Sequence, residues 1–250
     1  MSAWTRRVFL QGQQYVSLMT DLAGARVLEV VPDRPREAAD ARWAAVPAPV
    51  RTNIAAVTMD MWEAFLTSTR TQAPPAAIVH DKFHITKYLT EAVDHVRRTE
   101  HKLLMRAGDE TLTGTKYLFL KRPEHMSETE QPRFAALRLD TLKAGRAWAL
   151  KETFADFWHY TSATPATKFF TRWYWWATHS RLRPMIDVAK TIKRHFANIL
   201  TYLAHRITNA VTEGVNAKIQ SLKANARGYR NFGNYRTAIL FTCGKLDLYP

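Results

Sequence analysis

The sequence is poor in cysteine and has no long apolar run. Its single cysteine, Cys243, excludes an internal disulfide and any zinc site built on paired cysteines. No run reaches the roughly 18 apolar residues that a membrane span needs, and the first residues show no signal-peptide pattern. These absences predict a protein of a reducing cytoplasm with no membrane partner, in which Cys243 is a small buried side chain.

Acidic residues are also scarce. The chain has 22 aspartates and glutamates against 36 lysines and arginines, which gives its 250 residues a formal net charge of +14. Such an excess of base favours a polyanionic partner, and nucleic acid is the expected one. The hydrophobic share of 46% is enough to build a substantial core without a metal or a disulfide.

Strand patterns are concentrated in the first third of the chain. Alternation over Tyr15–Asp21 and a second run at Arg26–Val31, joined by an Ala-Gly turn, predict a β-hairpin. Short apolar runs at Ile54–Met59 and Ala77–His80 enclose a helical pattern at Trp62–Arg70. A strand, a helix and a second strand in this order predict a parallel crossover.

The remaining chain is predicted to be mainly helical. From His84 to about Tyr202 the pattern is a succession of helices, which we interpret as an all-helical insertion. A further helix is expected at Asn209–Asn225, followed by an irregular segment at Gly228–Tyr235 and a short apolar tail. A polar, alanine-rich stretch at Arg36–Ala45 also predicts a helix.

Two carboxylates follow the two short apolar strands directly. Asp60 comes after the first and Asp81 after the second, and the carboxyl ends of strands in open α/β sheets are where catalytic groups gather. His84 lies three residues after Asp81, close enough for one turn to bring the two side chains together. An aspartate after a strand is also a common helix N-cap, and that alternative remains open for both.

The helix at Asn209–Asn225 has two distinct faces. One is an apolar stripe expected to pack on the core: Val211, Val215, Ile219 and Leu222. The other carries Glu213, an acid able to hold a metal ion. Residues able to contact DNA close to such a metal are Asn216, Lys218, Lys223, Arg227 and Arg230. A solvated face with pairs of opposite charge is the alternative.

Large rings are concentrated in the segment RWYWW. Trp173, Tyr174, Trp175 and Trp176 are expected to pack mostly in the core. The alternative is that rings of this segment stack on an unpaired or flipped base, with nearby arginines holding phosphates.

Four segments together resemble one protein family. They are VTMDMW (Val57–Trp62), IVHDKFHI (Ile78–Ile85), RWYWWATHSRLRPM (Arg172–Met185) and the long segment Ile207–Phe232. In order and spacing they are similar to the DDE transposases of the ISL-three insertion-sequence family, over about Val8–Pro250. The resemblance implies a bacterial protein of the cytoplasm, associated with the nucleoid, that acts in DNA transposition and recombination.

The resemblance also implies a fold. It is an α/β fold with a ribonuclease-H-like mixed sheet and a large all-helical insertion before the last catalytic helix. Residues 1–89 would form the N-terminal part of the core, residues 90–205 the insertion, and residues 206–250 the catalytic helix and tail. Related transposases carry an Asp-Glu pair at the end of the first strand, where this chain has Thr5. We therefore expect that the first strand is missing and that the chain is truncated.

The site implied by the resemblance uses Mg²⁺ or Mn²⁺ to cut and join DNA. Glu213 matches the final glutamate of the family, and Asp60 is preferred over Asp81 as the middle acid, so that Asp60 and Glu213 would bind metal. Asp81 and His84 fall where related transposases carry an acid or cysteine before a histidine. Without the first acid, we expect strand cleavage to be largely lost.

The expected partners are transposon ends and target DNA, together with a second copy of the chain or a full-length transposase. Two other functions are compatible with the residues. The first is a non-catalytic remnant that grips DNA or associates with an intact transposase. The second is a metal hydrolase of another class, using Asp81 and His84.

Overall fold

The computed structural model describes residues 2–10, 14–32, 40, 43–44, 46–207 and 210–246. The chain divides into two compact units, one of Met1–Asp81 with His205–Pro250 and one of Lys82–Ala204. Residues 82 to 106 form one unbroken helix, and residue 90, where the insertion was predicted to begin, lies within it.

A five-stranded sheet forms the first unit. Its strands are β1 (Ser2–Leu10), β2 (Gln14–Asp21), β3 (Arg26–Pro32), β4 (Ala56–Met59) and β5 (Ala77–His80). They lie in the order β3-β2-β1-β4-β5, with β1, β2 and β3 antiparallel and with β4 and β5 parallel to β1. The predicted hairpin and the predicted parallel crossover are confirmed, and the fold is mixed α/β.

The prediction that the first strand is missing was wrong. Strand β1 lies at the centre of the sheet and pairs with β2 on one side and β4 on the other. Strand pairing depends on backbone hydrogen bonds and not on an acid at one position. The strand is therefore present although position 5 carries a threonine and not the expected acid.

Helices make up most of the rest. They are α1 (Ala48–Thr52), α2 (Glu63–Gln72), α3 (Lys82–Arg106), α4 (Lys116–Leu120), α5 (Glu130–Ala135), α6 (Lys143–Ala155), α7 (Ala163–His179), α8 (Arg183–Arg194), α9 (Phe196–His205), α10 (Ala210–Asn225) and α11 (Phe232–Cys243). Within the described ranges, no helix is both long and apolar enough to cross a membrane. The helix predicted at Arg36–Ala45 falls largely outside the described residues.

Helix α11 was not predicted. The segment Gly228–Tyr235 was expected to be irregular and to lead into a short apolar tail, but α11 begins at Phe232 and continues to Cys243. The side chain of Asn231 accepts a hydrogen bond from the backbone N–H of Gly233 at 2.6 Å, so a capping asparagine starts the helix.

The sheet of this unit is covered on both faces. One cluster joins β2 and β3 to α10 and α11; it consists of Val16, Leu18, Val27, Val30, Val215, Ile219, Tyr235, Ile239 and Cys243. The other joins Met19, Val57, Met59 and Ile78 to Phe65 and Leu66 of α2. Leu18 and Met19 are neighbours in β2 and therefore belong to opposite faces. As predicted, Cys243 is buried, and this burial raises the pKa of its thiol.

The helical unit is built around α3. The carboxylate of Glu100 in α3 accepts hydrogen bonds from the backbone N–H groups of Lys143 (2.8 Å) and Ala144 (2.7 Å) at the start of α6. Those groups have no partner within their own helix, so a buried side chain of one helix caps another. This bond pair sets how α3 and α6 meet.

The RWYWW segment divides between core and surface. Trp173 is buried, and its indole N–H donates to the carbonyl of Leu150 at 2.8 Å, as core packing predicts. Its ring lies 4.6 Å from that of Phe154, centre to centre. Trp175 is 64% exposed and therefore contributes little to the core.

Two glycines within helices predict opposite effects of substitution. A Cβ on Gly145 in α6 would overlap the backbone carbonyl of Leu139, so Gly145→Ala should lower the free energy of unfolding by about 1–3 kcal/mol. A Cβ on Gly214 in α10 would meet nothing within 4 Å. Gly214→Ala should therefore raise the free energy of unfolding by about 0.5–1 kcal/mol. Urea titration followed by circular dichroism measures both, and equal effects would contradict the prediction.

Candidate active site at the ends of parallel strands

Asp60 and Asp81 leave neighbouring strands side by side. In the parallel pair of β4 and β5, Met59 is the partner of His80, so the next residues are Asp60 and Asp81. The backbone N–H of Asp81 donates to the carbonyl of Met59 at 3.1 Å, which extends the pairing to the aspartate. Adjacent strands lie about 4.8 Å apart, so two carboxylates start from adjacent points at the same edge of the sheet.

The two carboxylates have different surroundings. Asp81 is buried with 8% exposure, whereas Asp60 is half-buried. One carboxylate oxygen of Asp60 accepts a hydrogen bond from the backbone N–H of Trp62 at 3.2 Å, just before α2. One carboxylate oxygen of Asp60 therefore has the helix-capping role that was the alternative to a catalytic one. The other oxygen has no hydrogen-bond partner among the described residues, so it is available to a ligand.

Position 5 belongs to the same row. Ala3 of β1 is the partner of Thr58 in β4, and continuing this parallel register by two residues aligns Thr5 with Asp60. Asp81 is the corresponding residue of β5. A threonine carries no charge, so this row of three strand positions has two acids where the resemblance implies a first acid as well.

The row lies on the face of the sheet that α10 covers. Leu18 of β2, the backbone partner of position 5 in β1, belongs to the cluster under α10. Met59 belongs to the opposite cluster, so alternation along an extended chain places Asp60 on the α10 side. Sheet register and helix packing thus place Asp60 and α10 on the same face of the sheet.

Helix α10 presents Glu213 from its first turn. As predicted, its apolar stripe packs against the sheet: Val215 and Ile219 are buried, and Val211 and Leu222 are half-buried. Glu213 is exposed. The described part of the chain contains no group of three or more histidine, cysteine, aspartate or glutamate side chains placed to share a metal ion. Glu213 is therefore not gathered with Asp60 and Asp81 into one such group.

Two buried polar groups lie beside Glu213, and the sequence analysis had singled out only Asn216 of the two. Thr212 and Asn216, one turn apart on α10, are only 3% and 5% exposed. Neither the hydroxyl of Thr212 nor the side-chain carbonyl of Asn216 has a hydrogen-bond partner in the described structure. Buried oxygens normally have a hydrogen-bond partner. These two oxygens beneath α10 have none among the described residues, so a polar ligand can form hydrogen bonds with them. Their spacing of four residues was the only sequence feature that groups them.

The donors present fit one hard cation better than two. Mg²⁺ is usually held by one or two carboxylates together with water and substrate phosphates. Asp60 and Asp81 can supply the two carboxylates from their strand ends. A pair of ions needs further carboxylates, and position 5, which lies in the same row, holds a threonine. The two carboxylates of the row match the number that a single divalent ion usually takes from a protein.

His84 is the third residue of α3 and belongs to the helical unit. Its ring meets that of Phe83 edge to face, with 5.9 Å between the ring centres. The structure therefore places this residue on a helix, as the sequence predicted.

The residues predicted to bind DNA do not share one face. Lys218, Arg227 and Arg230 are exposed, and Lys223 is half-buried. Asn216 is buried, and positions two apart on a helix point in different directions, which separates it from Lys218. At the end of α10, Arg227 (φ 51°) and Gly228 (φ 93°) adopt left-handed conformations. This turn places Arg227 and Arg230 beyond the helix.

Comparison with known proteins finds relatives that each match most of this chain. The transposase of insertion sequence element IS1001 from Bordetella parapertussis is 28% identical over 229 residues, covering 88% of this chain and 55% of the relative. The transposase of insertion sequence element IS1557 from Mycobacterium tuberculosis is 25% identical over 241 residues, covering 87% of this chain and 54% of the relative. The chain spans about half the length of these relatives. No solved structure matches the chain significantly.

The family match covers nearly the whole chain. A family model described as transposase, of the ISL-three type of DDE transposases, matches residues 8–239. This range takes in the whole of strands β2 to β5, the helical unit and α10. The chain therefore belongs to the ISL-three family of DDE transposases.

Proposed function

We propose that this chain takes part in DNA transposition as a DNA-binding polypeptide with a metal-dependent strand-cleavage site at Asp60 and Asp81. The observation that carries the proposal is the register of β4 and β5, which sets these two acids side by side at one edge of the sheet. Family membership supports transposition as the process.

The proposed core is ribonuclease-H-like. Strands β1, β2 and β3 are antiparallel, and β4 and β5 lie parallel to β1 on its other side. This strand arrangement supports the fold. The helical unit enters the chain between β5 and α10, where the resemblance implies an insertion. In the ribonuclease-H-like fold that the resemblance implies, acids from the first strand, the fourth strand and the helix after the insertion share one site, which supports roles for Asp60 and Glu213.

The proposed chemistry is attack by water, and then by a DNA 3′ hydroxyl, on phosphodiester bonds. Divalent cations supply activation of the nucleophile and stabilisation of the leaving oxygen in such reactions. Asp60 and Asp81 would hold Mg²⁺ or Mn²⁺, and Glu213 would be the next acid near the phosphate. The unpaired oxygens of Thr212 and Asn216 support a polar ligand beneath α10.

Threonine at position 5 is proposed to weaken this reaction. A hydroxyl adds no negative charge to the row, so the second cation lacks a carboxylate to balance it. The chain would then retain its affinity for DNA while its rate of DNA cleavage is reduced. The exposed bases Lys218, Arg227 and Arg230, together with the net charge of +14, support the DNA-binding part of the proposal.

A second candidate function follows from the same residue. A chain that binds DNA without cutting it would compete with an intact transposase for its ends, or would join it in a mixed oligomer. The threonine at position 5 favours this alternative, since it affects the metal site and leaves the basic surface intact.

Removing either strand-end acid should weaken metal binding. Asp60→Asn and Asp81→Asn should each lower affinity for Mn²⁺ by roughly tenfold or more, because Mg²⁺-type sites rely on one or two carboxylates. Mn²⁺ titration followed by electron paramagnetic resonance measures the change. Asp140→Asn, an exposed aspartate of the helical unit, is the control and should bind as the original chain does. Unchanged affinity in both test variants would contradict the assignment.

Restoring an acid at position 5 should increase DNA cleavage. Thr5→Asp should raise Mg²⁺- or Mn²⁺-dependent nicking of supercoiled plasmid by roughly a hundredfold, the scale seen when one charge-stabilising group is added or removed. Thr5→Asn has nearly the same size without the charge and should not raise it. Adding Asp60→Asn should abolish the gain. A chain that already nicks DNA, and loses this activity in Glu213→Ala, would show instead that another group replaces the missing acid.

Salt should weaken binding to duplex DNA, and the size of this effect should depend on the number of exposed basic side chains that contact phosphates. Lys218→Ala, Arg227→Ala and Arg230→Ala should each reduce the slope of log affinity against log salt by about one, measured between about 50 and 200 mM KCl. Fluorescence anisotropy with a short labelled duplex gives the slope. Arg138→Ala, an exposed arginine elsewhere, should leave it unchanged. Equal slopes in all variants would place the DNA-binding surface on other residues.

A further inference from the structure

Helix α7 carries an exposed stripe of two basic residues, a tryptophan and a histidine. Lys168, Arg172, Trp175 and His179 follow at spacings of four, three and four residues, so they lie along one side of the helix, and all are exposed. The opposite side holds the buried residues Ala166, Phe170, Trp173 and Ala177. Core packing therefore accounts for one side of α7 and leaves the other unexplained.

Trp175 stands out within the stripe. Tryptophan is usually well covered in folded proteins, yet this side chain is 64% exposed. The ring of His179 stacks on it with 4.4 Å between the ring centres and 22° between the planes. His179 is itself held, because its Nδ1 donates to the carbonyl of Trp175 at 2.7 Å. A fixed histidine thus supports one side of the indole ring and leaves much of the ring open to solvent.

The neighbouring rings are already engaged. Trp173 donates to the carbonyl of Leu150, and the amine of Lys193 lies 4.5 Å from the ring centre of Tyr174. Of the four consecutive rings, Trp173 is buried, Tyr174 and Trp176 are half-buried, and Trp175 is the one that is mostly exposed. It is therefore the ring of this segment that is available to a ligand.

The charge of the stripe selects the kind of ligand. Helix α7 contains no aspartate or glutamate, and neither Lys168 nor Arg172 forms an ion pair with any described residue. Three exposed threonines, Thr164, Thr167 and Thr171, lie beside them, together with the exposed Pro165. A stripe of cations, hydroxyls and one flat ring suits a strand in which phosphates and bases alternate.

We propose that the stripe Lys168–Arg172–Trp175–His179 binds an unpaired nucleotide strand, with a base stacked on Trp175 and its phosphates beside Arg172 and Lys168. The base must be unpaired, since a base inside a duplex offers no open face to the ring. Arg172 lies about one turn and Lys168 about two turns from Trp175, a span of roughly 10 Å along the helix. This surface belongs to the helical unit and does not require the strand-end acids.

The test is binding of a fluorescent oligothymidylate, measured by anisotropy. Trp175→Ala should weaken binding of this single strand between about fivefold and a hundredfold, the range seen when one stacking ring is removed. Trp175→Phe keeps a flat ring and should restore most of the affinity. Tyr117→Ala removes another ring with 63% exposure and should change nothing. The exposure of Trp175 makes misfolding of its variant unexpected, and circular dichroism checks this.

Two outcomes would overturn the inference. Single-strand affinity of Trp175→Ala equal to that of the original chain is the first. The second is a change in self-association of that variant, seen by sedimentation, with unchanged binding of the single strand, which would make the ring a protein contact. Failure of the strand-end site would appear differently, as unchanged Mn²⁺ affinity in Asp60→Asn and Asp81→Asn, a measurement that does not involve Trp175.

Discussion

The backbone hydrogen bond from Asp81 to the carbonyl of Met59, 3.1 Å long, holds two strand ends in register. A slip of one residue would turn every side chain of the strand to the other face. It would bring His80 into the position of Asp81 and move the carboxylate away from Asp60. The candidate site therefore depends first on pairing of main-chain atoms, which the four residues of β4 and the four of β5 supply.

Packing decides which side of that row becomes a site. Val215 and Ile219 hold α10 on the sheet, and the bidentate pair of Arg236 with Glu29 joins α11 to β3 at 2.7 and 2.9 Å. The carboxylate of Glu29 raises the pKa of the Arg236 guanidinium. Both contacts keep the helices on one face of the sheet. The other face is closed by α2, so the polar groups of α10 meet the face on which the strand-end acids lie.

Local patterns predicted the elements that pack by simple periodicity. The hairpin, the crossover and the apolar stripe of α10 follow from alternation or from spacings of three and four residues, and the structure has all three. The elements that were missed lack such a pattern. Strand β1 alternates poorly and was judged by an absent acid, and α11 begins in a glycine-rich segment that an asparagine cap converts into a helix.

The sequence by itself determined the chemical inventory: an excess of base, acids directly after two short strands, a threonine at position 5, and the order of motifs that places the chain in its family. The tertiary structure alone decided which of these groups lie together. Sheet register aligned Thr5, Asp60 and Asp81, helix packing buried Asn216, and the core took Trp173 while leaving Trp175 exposed. The physical reason is that pairing and burial join residues far apart in the chain, and no local pattern records which partners they will meet.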